Sequence, residues 1–217
     1  MSKATAHNHD TNALLKCGVA AGPLYIFIGL IEVLTRPGFD IRKHSLSLMS
    51  IGPMGWIHIL LFIITGLLVI LGAVGIRRAI KEQRAGTWGP LMIGLYGVGL
   101  IAAGLFVPDP MKGFPPGMPG GTISTSGIMH LVSGMVGFTG LIAACFVFAR
   151  RFKGLKQKSM MILSLKTGII FFISFFGIAV FSQQDDSVVT VVNLVFSFAV
   201  VLSWIWLSTI CSRLLHK

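Results

Sequence analysis

The sequence of residues 106–140, FVPDPMKGFPPGMPGGTISTSGIMHLVSGMVGFTG, runs from the end of one apolar span to the beginning of the next. Proline and glycine crowd the segment between the two spans, and both residue types interrupt helices, so this segment marks a loop. Asp109 stands at the start of the loop, and His130 follows a few residues into the second span. The stretch therefore predicts a helical hairpin whose polar side chains lie at the end that carries the loop.

Outward from this hairpin, the chain consists of apolar runs separated by short polar segments. Apolar residues make up 54% of the 217 residues and charged residues 12%, whereas soluble domains carry roughly 25% charged residues. Each run has about 20 residues, enough to cross ~30 Å of hydrocarbon as a helix and too many for a strand. We predict an all-α fold, a single integral membrane domain (1–217) built as a six-transmembrane-helix bundle. The predicted spans are residues 16–35, 54–76, 88–107, 127–149, 160–182 and 189–211.

The distribution of lysine and arginine predicts the orientation and accounts for the net charge of +11. Basic residues cluster before span 1 and after spans 2, 4 and 6, and they are sparse at the opposite ends. By the positive-inside rule, the basic side faces the cytoplasm, which puts both termini inside a cytoplasmic membrane. The basic loops need no nucleic acid, and the expected partners are membrane lipids and a small-molecule or lipid ligand.

The even-numbered spans resemble one another. Span 2 begins Gly-Trp-Ile-His58 and span 4 begins Gly-Ile-Met-His130, and each ends in an arginine pair. Asn193 takes the corresponding place in span 6. This pattern predicts three repeated helical hairpins, although bilayer thickness alone also imposes a similar spacing from outer polar residue to inner arginine.

Most acidic residues of the chain, together with two histidines, fall in one layer just inside the outer ends of the spans. Ionisable side chains at membrane depth are costly and usually face a cavity or each other. We therefore predict an outward-facing pocket that binds a small anionic ligand or a lipid headgroup, helped by the helix N-termini around it. The residues predicted to bind the ligand are His58, Glu32, Asp40, Arg42, His44, Asp185 and Asn193.

The first outer loop is predicted to cover this pocket. Residues 41–51 mix Leu46, Leu48 and Met49 with basic side chains. Such a mixture is typical of a short amphipathic helix that lies along the membrane surface. We expect this helix to act as a lid.

Three interpretations of the polar layer stay open at this point. In the first, His58, His130 and Asp109 hold a divalent metal such as zinc, which activates water for hydrolysis or transfer at the outer leaflet. In the second, the catalytic residues are Asp109 and His130, with His130 as base and Asp109 orienting it. In the third, these side chains are structural and cap helix ends. Haem ligation by the two histidines is disfavoured, since the inner halves of the spans carry no histidine.

A different class of function is a transporter or an accessory subunit without chemistry. A transporter is expected to carry polar residues near the bilayer midplane, where its site is reached from both sides. The spans here are nearly bare at that depth, apart from Thr65, Thr139, Ser174 and glycines. A docking protein would instead use its outer loops and would tolerate loss of Asp109 and His130.

Two stretches carry a resemblance to a known family. The first is FDIRKHSLSLMS at residues 39–50, leading into GWIHILLFIITGLL at 55–68, and the second is F-x-P-D-P…G-I-M-H at 106–130. In both, the chain resembles the domain-of-unknown-function 998 family of six-helix membrane proteins from bacteria and archaea. Asp109 and His130 match the family motif, whereas Leu48 follows Ser47 where the family pattern has an acidic residue. The resemblance implies an integral membrane protein and no particular activity.

Overall fold

The computed structural model describes residues 3–81, 85–118, 120–182 and 184–215. Each helix in this part of the chain is long and apolar enough to cross a membrane, which confirms the all-α prediction of six spans. The first helix extends well before residue 16, because residues 3–17 contain no glycine or proline to end it. The elements are α1 (Lys3–Thr35), a 3₁₀ segment (Leu46–Ser50), α2 (Gly55–Ile80), α3 (Trp88–Leu105), α4 (Thr125–Gly154), α5 (Lys158–Phe181) and α6 (Asp186–Leu215).

The helices pack as a closed ring. Each helix contacts its neighbours in sequence, and α1 also contacts α6, which closes the ring. Large side chains fill the interior toward the basic end, where Trp206 is fully buried and donates its indole N–H to Ser164 Oγ at 2.9 Å. The loops before α2 and α4 lie together at the opposite end, and they position the candidate site.

Glycines let neighbouring helices in this ring approach to backbone contact. A Cβ atom built on Gly66 of α2 would lie 2.7 Å from the carbonyl oxygen of Gly97 in α3. One built on Gly99 would lie 2.6 Å from the Cα of Gly137 in α4. Small residues are the usual means of close packing in membranes, where the hydrophobic effect does not drive helices together.

A proline in α1 is accommodated by a side chain from α6. Pro23 has no N–H, so the carbonyl of Val19, four residues earlier, loses its donor within the helix. Ser208 of α6 donates its hydroxyl to that carbonyl at 3.0 Å. Proline is tolerated in membrane helices when a neighbour satisfies the freed carbonyl in this way, and this bond ties together the two helices that close the ring.

We expect Ser208→Ala to destabilise the protein by about 1 kcal/mol, because the Val19 carbonyl would lose its donor. In a Pro23→Ala background, the main-chain N–H of residue 23 replaces that donor, so Ser208→Ala should then cost much less. Unfolding of the four variants in detergent measures the coupling as a double-mutant cycle. Equal costs of Ser208→Ala in both backgrounds would contradict the pairing.

The loops at residues 36–54 and 106–124, named the first and second outer loops after their predicted orientation, are joined through His44. Its Nδ1 accepts the main-chain N–H of Asp40 at 3.0 Å, and its Nε2–H donates to the carbonyl of Lys112 at 3.1 Å. The buried ring of Phe114, from the loop before α4, packs against Phe39 and His44. The first loop is thereby fixed to the second.

The predicted surface lid takes a different form. Residues 46–50 make a single 3₁₀ turn, and Leu48 and Met49 are fully buried instead of lying along a membrane surface. The apolar side chains of this segment pack into the end of the bundle, where the segment contacts α1 and α2. We call residues 46–50 the plug segment, because they fill one end of the bundle.

Candidate functional site

A buried charged network connects α1, α2 and the first outer loop. Glu32, Arg36 and His58 are 4%, 8% and 0% exposed. One carboxylate oxygen of Glu32 accepts from the Arg36 guanidinium, and the other lies 2.6 Å from Nδ1 of His58. Arg36 also donates to the carbonyl of Met49 at 2.9 Å. The network therefore couples a histidine of the bundle interior to the plug segment.

In the described part of the chain, the imidazole of His58 bonds through one of its two ring nitrogens. A carboxylate only accepts, so Nδ1 of His58 carries a proton, and the second nitrogen is Nε2. That Nε2 is buried and, within the described residues, makes no hydrogen bond, as is also true of Nε1 of Trp204. Tyr25 packs against both rings, with centroid distances of 6.0 Å to His58 and 4.8 Å to Trp204. Two buried nitrogens without hydrogen-bond partners among the described residues thus flank one tyrosine.

His130 is anchored by the end of the preceding helix. Its Nδ1 lies 3.1 Å from the carbonyl of Ala103 and 2.8 Å from that of Phe106, at the C-terminal end of α3. Carbonyls only accept, so Nδ1 carries the proton. In the neutral ring, Nε2 is therefore an acceptor. The histidine thereby satisfies carbonyls that a helix end leaves without donors. The Phe62 ring lies between the two histidines, with centroids 4.6 Å from His58 and 6.5 Å from His130.

A cavity of about 80 Å³ lies inside the ring at this end. Residues from α1, α2, α3, α4 and α6 line it, and the plug segment closes it from above. Its walls are mainly apolar and aromatic. Its polar lining residues are Tyr25, Ser45, Ser47, Tyr96, His130 and Ser133.

Asp109 caps the helix that carries His130. Its Oδ2 accepts the main-chain N–H of Ser124 at 3.0 Å, and Ser124 Oγ in turn accepts the N–H of Gly127 at 3.0 Å. The hydrogen bonds from Ser124 hold the pKa of Asp109 below its ordinary value of 3.8. The ionised carboxylate therefore occupies the N-terminus of α4, where the helix dipole favours an anion.

The stretch F-x-P-D-P…G-I-M-H thus builds one hairpin end, in which the aspartate caps α4 and the histidine bonds to the end of α3. A family model described as "Protein of unknown function (DUF998)" matches residues 19–213, which includes this stretch and the first outer loop. The chain belongs to the DUF998 family. No curated protein and no solved structure matches the chain.

In this DUF998 protein, the predicted catalytic pair is not in contact. Among the described residues, the carboxylate of Asp109 bonds to Ser124, and the imidazole of His130 bonds to carbonyls of α3. The predicted metal ligands His58, His130 and Asp109 are likewise engaged separately. No three His, Cys, Asp or Glu side chains in the described ranges converge closely enough to hold a metal ion.

Four of the seven predicted ligand-binding residues of this family member form two pairs. Glu32 and His58 meet in the buried network, whereas Asp40 and Arg42 form an exposed ion pair with N···O of 2.9 Å. Hydrogen bonds from Arg42 lower the pKa of Asp40 to about 2.

The remaining three predicted residues lie around the outer loops. His44 joins those loops, as described above, and Asp185 is exposed. Asn193 is buried and donates its side-chain N–H to the carbonyl of Arg42 at 3.3 Å. Of these three residues, His44 and Asn193 therefore bond to main-chain atoms of the loops, and Asp185 is exposed.

Sequence reasoning missed Arg36 and the two tyrosines. Arg36 follows Glu32 by four residues, the spacing that pairs side chains along a helix, and that spacing is a usable signal. The chain has just two tyrosines, and both line the cavity from within spans. Tyrosine usually sits at membrane interfaces, so its position in the interior of a span also signals a polar site.

Proposed function

We propose that this protein binds a small polar molecule or a lipid headgroup in the cavity at the outer end of its helix ring. The observation that carries the proposal is the imidazole of His130, which lines the cavity while Nδ1–H is committed to α3. Nε2 of His130 has no partner among the described residues and offers a lone pair. The hydroxyl groups of Tyr25 and Tyr96, which also line the cavity, supply further polar contacts.

The proposed ligand presents a hydrogen-bond donor, such as a hydroxyl or an ammonium group. The open nitrogen of His130 is an acceptor, and no lysine or arginine is among the described residues that line the cavity. Arg36 is already paired with Glu32, and Asp109 already occupies the N-terminus of α4. The anionic ligand expected from the sequence therefore finds no cation to receive it.

The size of the cavity favours a headgroup-sized ligand. Drug-sized ligands occupy pockets of about 300–1,000 Å³, and this cavity of about 80 Å³ admits a group of a few heavy atoms. The proposed activity is binding rather than metal-dependent hydrolysis, because the three predicted metal ligands are each held by other partners.

The proposed orientation places this cavity on the outer side of a cytoplasmic membrane, with both termini inside. Its support is the basic end of the bundle, where α2 and α4 carry Arg77-Arg78 and Arg150-Arg151 near their C-terminal ends. We propose that residues 1–217 form a single domain, and the three repeated hairpins stay a prediction from the even-numbered spans.

Thermal unfolding of the purified protein in detergent tests the proposal with ethanolamine, glycerol and inorganic phosphate as probes. Ethanolamine or glycerol should raise the melting temperature by several degrees, because a ligand that binds the native state stabilises it. The His130→Asn variant keeps a donor near the Nδ1 position and removes the Nε2 acceptor, so it should fold and lose the response.

Two further variants distinguish binding in the cavity from a general effect of the added compound on stability. Gly134 lines the cavity, and a Cβ built there meets the Phe138 ring at an ordinary contact distance of 3.8 Å. Gly134→Leu should therefore fill the cavity and abolish the response, whereas Met135→Leu on the exposed face of α4 should retain it. Stabilisation by phosphate alone, or an equal response of wild type and His130→Asn, would overturn the proposal.

A further inference from the structure

A second hollow, independent of the outer cavity, lies between α1 and α6 toward the basic end of the bundle. It is an open groove of about 350 Å³. On α1 its wall is formed by Val19, Gly22, Pro23 and Ile26, which recur at helical spacing along one face. These residues leave the groove apolar on that side over about 10 Å of helix length.

The wall contributed by α6 changes from apolar to polar along its length. Trp204 and Ile205 come first, then the hydroxyls of Ser208, Thr209 and Ser212, and Arg213 stands at the basic end. The hydroxyls of Ser208 and Thr209 are already donated to main-chain carbonyls, so they present oxygen acceptors. Ser212 makes no hydrogen bond among the described residues, and its hydroxyl is available. The groove is therefore apolar at depth and cationic at its mouth.

The charge around this mouth is positive. Arg213 is exposed and has no ion-pair partner in the described part of the chain. Lys16 is exposed near the same end of α1, and Asp10 lies nearly two turns farther along that helix, away from the groove. Among the described residues, an anion at the mouth would thus meet cations that have no acidic partner.

We propose that this α1–α6 groove binds an anionic phospholipid, with its phosphate at Arg213 and Ser212 and one acyl chain against Val19, Pro23 and Ile26. The polarity of the groove runs in the same direction as that of a lipid from headgroup to tail. The exposed Arg213 selects a negatively charged headgroup, and basic pockets between membrane helices are a recurring form of lipid recognition. The lipid lies across the seam where the first and last helices close the ring.

Native mass spectrometry of the full chain in detergent tests this site, with phosphatidylglycerol and phosphatidylcholine as the added lipids. Wild type should bind phosphatidylglycerol more tightly than phosphatidylcholine. The Arg213→Gln variant should lose roughly fivefold in phosphatidylglycerol affinity, the usual contribution of one basic residue at a membrane surface. Its affinity for phosphatidylcholine should be unchanged.

Matched variants distinguish the groove from diffuse attraction. Arg150→Gln removes an exposed charge from the same end of the bundle but outside the groove, and it should have no effect. Val19→Phe keeps all charges and should weaken both lipids by filling the groove. Equal losses for Arg213→Gln and Arg150→Gln, no preference in wild type, or full competition by glycerol phosphate would each overturn the proposal.

Discussion

Replacing Glu32 by alanine is expected to destabilise the protein by about 3–5 kcal/mol, the largest single effect that we foresee. Removing one member of a buried ion pair leaves the other charge without compensation in a medium of low polarity. Arg36 would then be buried beside the Met49 carbonyl alone, and Nδ1 of His58 would lose its acceptor. The outer plug segment, which Arg36 holds, should loosen with it.

Equilibrium unfolding in mixed detergent micelles measures this loss, and the exposed pair of the first loop supplies the control. Asp40→Ala removes the partner of Arg42, whose side chain is 65% exposed, and exposed pairs contribute about 0–1 kcal/mol. A second control is the double variant Glu32→Leu with Arg36→Met, which removes both charges and should recover much of the stability. Comparable losses for Glu32→Ala and Asp40→Ala would contradict the assignment.

The second large effect is expected at the contact between α3 and α4. Gly99→Ala should destabilise the protein by about 2 kcal/mol, because the added methyl group meets backbone rather than a flexible side chain. The nearest atoms to such a Cβ are the Cα of Gly137 at 2.6 Å and the carbonyl oxygen of Ser133 at 2.9 Å. The two helices would have to separate, which would also widen the cavity that both glycines line.

Gly94→Ala, also in α3, is the matched control. A Cβ built there has the Cβ of Ala73 at 4.0 Å as its nearest neighbour, which is ordinary contact. Since alanine favours a helix over glycine by roughly 0.5–1 kcal/mol, this variant should be neutral or slightly more stable. Melting temperatures that fall equally for the two variants would argue against the close approach of α3 and α4.

The helices were predictable from sequence because hydrocarbon thickness and backbone hydrogen bonding leave few alternatives for apolar runs of this length. The burial of Glu32 and His58 was also predictable, because ionisable side chains within apolar spans usually face the protein interior. Both predictions use only the positions of apolar and polar residues along the chain. Neither requires knowing which helices are in contact.

Which polar side chains bond to each other was not predictable, because it depends on the rotation of each helix about its own axis. Sequence proximity suggested that Asp109 orients His130, yet the capping requirement of α4 engages the aspartate, and the carbonyls of α3 engage the histidine. Trp204 and Trp206 show the same limit. They lie near the predicted inner end of span 6, where tryptophan commonly anchors at the interface, but both are buried in the ring.

The closed ring also has a consequence for chain connectivity. Because α1 packs beside α6, and Gly18 lies next to Cys211, the first and last helices are neighbours just as α3 and α4 are. A peptide linking the two ends, with the chain reopened between α4 and α5, would leave every helix with the same neighbours. Such a circularly permuted protein would differ from the natural one in the order of its synthesis, and its packed bundle would be the same.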